Sequence, residues 1–469
     1  MKKFLSLFLA LAMMLPLFGA QAEETVDLTP KSDKITIWYV NNENADVLYD
    51  EFARLHPEYE LDHSVETTIA GWDQVMASLS AMAASGDVPD AIWVQLPTTI
   101  GYYSNFFQPI DKYLRNDPEF NLNDLATAIL DTTCLFNGEY WFMPDEFNAN
   151  CLVYNKDLFE EAGLDPEAPP TTWSEMVEYA KILTKFDSEG VPTQLGYRGY
   201  SWNPGTVTFY EYLSSGYGTY MVDRLGLNWD LNNDKIKSIL EFSWQFPEIY
   251  GGYDKLPEGV DFGMGTGKAA MSEYVVGWCR DLAVSSDINF GIAPLPHPDS
   301  EDKTYSGCGP GYFWAIPKGA KNPEGGWEWI KYYYTDGMYA AEKNFAEVNG
   351  LTWVPDYAIH LPTRERINDT LMPLIEGEEK LMAIVDYINE TYDKCEVSGY
   401  AAGYEAEFAD PYFWPIFNQI QRKEIDMNSG LAELQDIADR LRDDWIERKK
   451  AEGWNFDVEE GMYPIPPQN

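Results

Sequence analysis

Residues 138–184 read GEYWFMPDEFNANCLVYNKDLFEEAGLDPEAPPTTWSEMVEYAKILT. Two apolar runs flank Pro144 and the acidic pair Asp145-Glu146. Tyr154-Asn-Lys-Asp-Leu-Phe159 then opens a short helix that ends at Gly163. Pro169 and Pro170 stop any helical continuation, because proline lacks an amide donor and its ring blocks the preceding turn. Thr172 followed by Glu175 has the pattern of a capping box, in which each side chain satisfies the other's free amide, so an amphipathic helix starts at Trp173. A buried strand followed by capped helices is the alternation of an α/β protein.

Outward towards the N-terminus the same alternation recurs. Ile35–Val40 predicts a buried strand, Asp46–His56 a helix, Tyr59–Val65 a strand, Trp72–Ala84 a helix, and Ala91–Leu96 a third strand after the turn Gly86–Asp90. Strand, helix, strand in this order implies a parallel sheet.

Taken together, YNKDLFEEAGL (154–164) and P-x-T-W-x-E (170–175) resemble the central signature of family 1 extracellular solute-binding proteins, the maltodextrin-binding-protein-like carbohydrate receptors of ABC importers. ASGDVPDA (84–91), Gln108–Leu114, Gly267–Met271 with Gly277-Trp278, Asn289–Pro296, Phe313–Lys318, Leu361–Arg364 and Trp414–Arg442 match further family segments in order. The resemblance is weakest over 186–262. It implies a two-lobe periplasmic-binding-protein-like (type II) fold, each lobe a mainly parallel sheet flanked by helices, with the lobes discontinuous in sequence. The implied division is a signal peptide 1–22, an N-terminal lobe from 23–147 and 309–348, and a C-terminal lobe from 148–308 and 349–469, hinged near Asn148–Val153 and Cys308–Trp314.

Composition is compatible with export and with a neutral ligand. Lys2 and Lys3, the apolar run Phe4–Phe18 and Ala20-Gln-Ala22 form a secretory signal with a small-x-small cleavage site, giving a mature start at Glu23. The run is shorter than the roughly 20 apolar residues that span a bilayer. It carries no lipobox Cys, so the expected location is periplasmic or secreted. A formal charge of −44 repels polyanions and argues against nucleic acid or anionic membranes as partners. If a disulfide forms among the five Cys, Cys134 and Cys151 are its best pair because they flank the same hairpin-like region, but buried free thiols are the favoured reading.

Motifs for catalysis or cofactors fail on spacing. Gly263-Met-Gly-Thr-Gly-Lys268 has Phe262 where a phosphate loop needs its first glycine and Ala269 where it needs a hydroxyl. Gly307–Gly311 lacks G-x-G-x-x-G and suits a close-approach turn. His56, His63, His297 and His360 show no zinc spacing, and G-x-S-x-G is absent. The expectation is therefore no catalytic residue, no metal and no cofactor.

Aromatic residues, 15% of the chain with 16 Trp, are the stronger signal. A sugar presents apolar C–H faces and a hydroxyl rim, so its receptor needs flat aromatic platforms surrounded by Asn, Gln, Asp and Glu. The candidates are Asn41, Asn42 and Glu43 after the first strand, Gln95 at the end of the third, Asn148 at the lobe crossing, Trp202, Trp278, Tyr312 and Trp414, each of which the resemblance brings near a ligand-contacting position. The expected function is a monomeric extracytoplasmic receptor that binds a sugar or oligosaccharide between its lobes and delivers it to ABC permease subunits. The rivals are a secreted carbohydrate-active enzyme and a same-fold receptor for a cationic solute such as a polyamine.

Overall fold

The computed structural model describes residues 26–39, 45–64, 72–95, 97–144, 149–199, 209–252, 255–308, 312–348, 359–371, 373, 377–391, 394–398 and 401–467. The signal segment and the start at Glu23 lie outside them, as do Asn41, Asn42, Glu43, Asn148 and Trp202. Among the described residues no helix is long and apolar enough to cross a membrane.

The fold is α/β. Its first sheet has the strand order Glu60–Asp62, Lys34–Tyr39, Ala91–Gln95, Tyr312–Pro317, Phe107–Gln108, and Met143–Pro144 also pairs with Tyr312–Pro317. The first three strands are parallel, with Ile35 opposite Leu61 and Trp38 opposite Ile92. Their apolar run follows from burial on both faces: Ile35, Ile37 and Tyr39 enter one core, while Trp38 enters the other. Helix Ala45–Leu55 covers one face through Leu48, Tyr49 and Phe52. The strand bounds match the sequence expectations within a residue or so, apart from Tyr59–Val65, of which only Glu60–Asp62 is strand.

The chain returns to this sheet through Tyr312–Pro317, which runs antiparallel to Ala91–Gln95 and to Phe107–Gln108. Asp90 and Asn322 bind the return to the entry. Asp90 accepts the Thr36 and Asn322 amides at 2.9 and 2.8 Å, and Asn322 caps helix Pro323–Tyr332 while its Nδ2 donates to the carbonyls of Ser32 and Lys34. Gly326 lets that helix sit on the sheet edge, since a Cβ there would lie 2.1 Å from the Asp90 carbonyl oxygen.

The second sheet corrects one expectation. Its central strand Asn150–Asn155 pairs antiparallel with both Met271–Val275 and Phe290–Ala293, so it is not a mainly parallel sheet. The reason is the path of the chain. Asn150–Asn155 leads away from the first sheet and Met271–Val275 leads back beside it, with Asn150 opposite Val275 and Tyr154 opposite Met271. Gly291 fits opposite Tyr154 because a Cβ would fall 2.3 Å from its ring.

Helices Trp173–Leu183 and Phe209–Tyr217 both pack on helix Asp234–Ile249. The capping box at Thr172 and Glu175 forms as the sequence indicates. Trp173 then stacks on Phe242 with centroids 4.4 Å apart, locking the first helix to the third. Helix Val276–Ser285 packs on Glu379–Thr391, whereas helix Leu361–Leu371 packs on Met338–Val348 and belongs with the first sheet's elements. The chain ends in the 25-residue helix Met427–Ala451, capped by Asp426, and a folded segment after it.

Cys134 and Cys151 are both buried free thiols, the favoured of the two readings, and not a disulfide pair. Cys134 ends helix Thr127–Thr133 beside Thr133, whereas Cys151 sits in the middle sheet strand next to Cys279, at 3.8 Å between sulfurs. Cys395 is disulfide-bonded.

Candidate functional site

Parallel strands direct their carboxyl ends to one edge of a sheet, where helix N-termini and loops gather and ligands bind. In the first sheet that edge holds the ends of Lys34–Tyr39 and Ala91–Gln95. Tyr312 begins the return strand there, because its antiparallel register places it opposite Gln95. The half-buried Tyr312 ring stacks on Trp93 at 4.4 Å and 10°, and Trp93 meets Tyr39 edge-on at 5.2 Å. An aromatic column therefore reaches from the core to the edge. The Gln95 backbone is part of this edge, while its side chain lies outside the described set.

On the second-sheet side, strand Met271–Val275 passes directly into helix Val276–Ser285, whose first amide donates to the Ala149 carbonyl at 2.8 Å. The helix buries Val276, Cys279 and Leu282 on one stripe. Trp278 falls off that stripe and remains 42% exposed, although a tryptophan is the residue with most apolar surface to lose. Two residues on, Arg280 faces the buried Glu342 of helix Met338–Val348 at 3.8 Å, a contact between the elements of the two sheets.

Trp414 heads helix Trp414–Gln421 after a π-helical turn, Ala409–Phe413, the kind of bulge that re-aims the residues following it. It is 37% exposed and stands edge-to-face on Tyr210 and Phe413. Tyr210 in turn stacks on Tyr220 at 5.7 Å. Behind them lie two carboxyl groups. Burial, with Glu273 nearby, pushes Glu211 up to about 8, and its Oε2 is sealed from solvent without a hydrogen-bond partner. Burial pushes Glu405 up to about 7, against the Ala402 amide that donates to it. Below these values both carboxyl groups are protonated, and neutral carboxylic acids beside tyrosine rings make a wall that repels neither an apolar sugar face nor its hydroxyls.

The structure thus places Trp278, Tyr312 and Trp414 at exposed or edge positions at the starts of elements. Sequence reading missed Trp93, Tyr210, Tyr220, Glu211 and Glu405. The only available signal was the aromatic density of Phe209–Tyr212, in a region without recognisable motifs. A cavity of 760 Å³ is lined by Asn150, Pro170, Tyr305, Tyr387 and Glu396 among others, and of the described candidates Trp278, Tyr312 and Trp414 do not border it. Among the described residues no group of three or more His, Cys, Asp or Glu side chains could hold a metal ion.

The family model for bacterial extracellular solute-binding proteins matches residues 43–340. This chain belongs to that family. The sn-glycerol-3-phosphate-binding periplasmic protein UgpB of Shigella dysenteriae is 28% identical over 182 residues, 37% of this chain and 39% of that protein, so the match spans well under two-thirds of the relative. An uncharacterized ABC transporter extracellular-binding protein of Pyrococcus horikoshii is 23% identical over 319 residues, 65% of this chain and 67% of that protein.

Solved structures agree on the fold of the family member described here. CpMnBP1 with mannotriose bound is 21% identical with a TM-score of 0.64, covering 86% of this chain and 99% of that one. UgpB of Mycobacterium tuberculosis in complex with glycerophosphocholine is 17% identical with a TM-score of 0.64, covering 88% and 100%. The Listeria monocytogenes ABC substrate-binding protein in complex with cycloalternan is 17% identical with a TM-score of 0.62, covering 87% and 98%.

Proposed function

We propose that this solute-binding protein is an extracytoplasmic receptor for a neutral sugar or oligosaccharide, which it binds between two lobes and passes to the permease of an ABC importer. The observation that carries this reading is the pair of exposed tryptophans, Trp278 and Trp414, each in the first turn of a helix. Trp414 is backed by Tyr210, Tyr220 and two carboxyl groups that burial pushes up to about 8 and about 7. Such faces stack on pyranose rings. The saccharides named with CpMnBP1 and the Listeria protein support the same class.

The lobes in this proposal are built on the two sheets: 23–147 with 309–371, and 148–308 with 377–469. Helix Leu361–Leu371 goes to the first because it packs on Met338–Val348. Asn41, Glu43, Gln95, Asn148 and Trp202 join Trp278, Tyr312 and Trp414 as the proposed contacts. The chain acts as a monomer, and the ligand leaves unchanged.

Closure follows from energetics. A ligand touching both lobes binds the closed form selectively, and moving the balance from 1:99 to 99:1 needs about 10⁴-fold selectivity, roughly 5.5 kcal/mol. Micromolar binding supplies about 8 kcal/mol. A glycerol phosphate ligand, suggested by the UgpB relatives, is disfavoured by the −44 charge, which repels an anion. A thermal-shift screen of the folded chain against mono-, di- and trisaccharides and glycerol 3-phosphate tests the choice. The expected result is a rise in melting temperature with one saccharide class, and a rise with glycerol 3-phosphate alone would overturn it.

A further inference from the structure

The end of the chain is tied down at both sides of the molecule. After helix Met427–Ala451, Asn455 and Ile465 exchange backbone hydrogen bonds at 2.9 Å and close residues 454–467 into a loop. Its buried Trp454 lies 5.3 Å from the Tyr103 ring and 5.8 Å from the Tyr102 ring, centroid to centroid. Tyr102 donates its hydroxyl to the Pro464 carbonyl at 3.0 Å. Asn137 grips Tyr463 twice, accepting its amide at 2.7 Å and donating to its carbonyl at 2.9 Å. Asn137 does so from a left-handed conformation, φ +51°, which asparagine tolerates better than most side chains.

The other anchor is the turn around Arg224. Tyr463 donates its hydroxyl to the Arg224 carbonyl at 2.7 Å, and the Arg224 guanidinium donates to the carbonyls of Asp131 and Leu135 at 3.1 and 3.3 Å. Tyr103 donates to the Leu225 carbonyl at 2.7 Å. Gly226, at φ +66°, lies so close to helix Thr98–Ser104 that a Cβ would meet Thr99 Cγ2 at 2.3 Å. Tyr102, Tyr103, Asp131 and Asn137 belong with the first sheet, through helices Thr98–Ser104 and Thr127–Thr133 and the hairpin leading to Met143–Pro144. Arg224 and the terminal helix belong with the second, since Gln435 binds Trp229 and Leu231, and Gln421 accepts from Trp244 in helix Asp234–Ile249.

We propose that Trp454–Pro467 is a strap that restricts rotation of one lobe against the other in the ligand-free chain, and so sets ligand affinity from a distance. This rests on the closure reading above. Rotation about the crossings that follow Pro144 and Cys308 must move Asn137 relative to Arg224, and Tyr463 is bonded to both. Loosening the strap therefore widens the range of lobe orientations without touching a proposed ligand contact.

Nitroxide labels at the exposed Glu58 and Glu189, one on each side, read this range by pulsed electron resonance without any ligand. Asn137→Gly removes both side-chain bonds while keeping the left-handed backbone, and Tyr463→Phe removes only the hydroxyl bond, so the second variant stays informative should the first fold poorly. The expected result is a broader inter-label distance distribution in both variants, larger for N137G, with an affinity change of threefold or more for mannobiose used as the probe. Distributions as narrow as the unmodified chain's in both folded variants would overturn the strap. Broadened distributions without mannobiose binding would support the strap and count against that disaccharide as ligand, which separates the two claims.

Discussion

Tyr312 lies flat against Trp93, with ring centroids 4.4 Å apart and planes 10° from parallel, where the return strand meets the carboxyl edge of the first sheet. The pair carries core packing out to the proposed site, so the ring matters more than its hydroxyl. Tyr312→Ala should weaken saccharide binding by about 1 kcal/mol, the typical worth of an aromatic pair, and Tyr312→Phe should stay within about threefold of the unmodified chain. Calorimetric titration of both folded variants checks this; equal losses for Ala and Phe would assign the effect to the hydroxyl.

Trp278 and Trp314 separate platform from core. Trp314 is fully buried, so Trp314→Ala should cost about 3–5 kcal/mol of stability. Trp278 is 42% exposed, and Trp278→Ala should leave the fold intact while costing about 1–3 kcal/mol of ligand affinity. Urea unfolding and titration of the same samples distinguish the two. Unchanged affinity in folded Trp278→Ala would remove it from the site.

Glu211 and Glu405 predict the pH dependence. Burial raises both in the folded chain, to about 8 and about 7, above the ordinary carboxyl value of 4.5. Between pH 4.5 and 8 the native state therefore holds protons that the unfolded state has released, and stability falls as pH rises through this window. The combined effect is on the order of several kcal/mol. In the acid range the sign reverses for Glu175, lowered by the Thr171 amide and hydroxyl, whose contribution is lost as pH falls below the ordinary carboxyl value. Unfolding free energies at pH 5 and pH 8 should show the higher value at pH 5, and Glu211→Gln should raise stability at pH 8 while changing little at pH 5. An identical slope in the variant would contradict the assignment.

The thiols give an independent check on the fold. Cys134, Cys151 and Cys279 are buried and free, and burial pushes the Cys134 thiol up to about 12. Alkylation under native conditions should modify none of these three, and alkylation in denaturant without reductant should modify all three. Modification of Cys395 without reductant would show that its disulfide is absent.

Much of the fold was legible because local and long-range signals agreed. Ile35–Tyr39 is apolar at every position but Thr36 because both of its faces are covered, and Thr172 with Glu175 specifies a helix start. The direction of Met271–Val275 was not legible, since an apolar strand reads alike in parallel and antiparallel sheets and only the path of the chain decides. Proximity in sequence does not pair Cys134 with Cys151, because the two enter different elements. Of the site, Trp278 and Trp414 could be picked out as aromatics beside family motifs. Glu211 and Glu405 could not, because acidic residues are common in a chain this charged and only burial sets these two apart.

The most direct test of saccharide reception is calorimetric titration of the folded chain with mannobiose, mannotriose and a panel of other neutral mono- and oligosaccharides, followed by mass analysis of the recovered sugar. A receptor of the proposed kind binds at least one of them saturably at one per chain and returns it intact. Absence of binding across the panel, or recovery of a cleaved product, would contradict it.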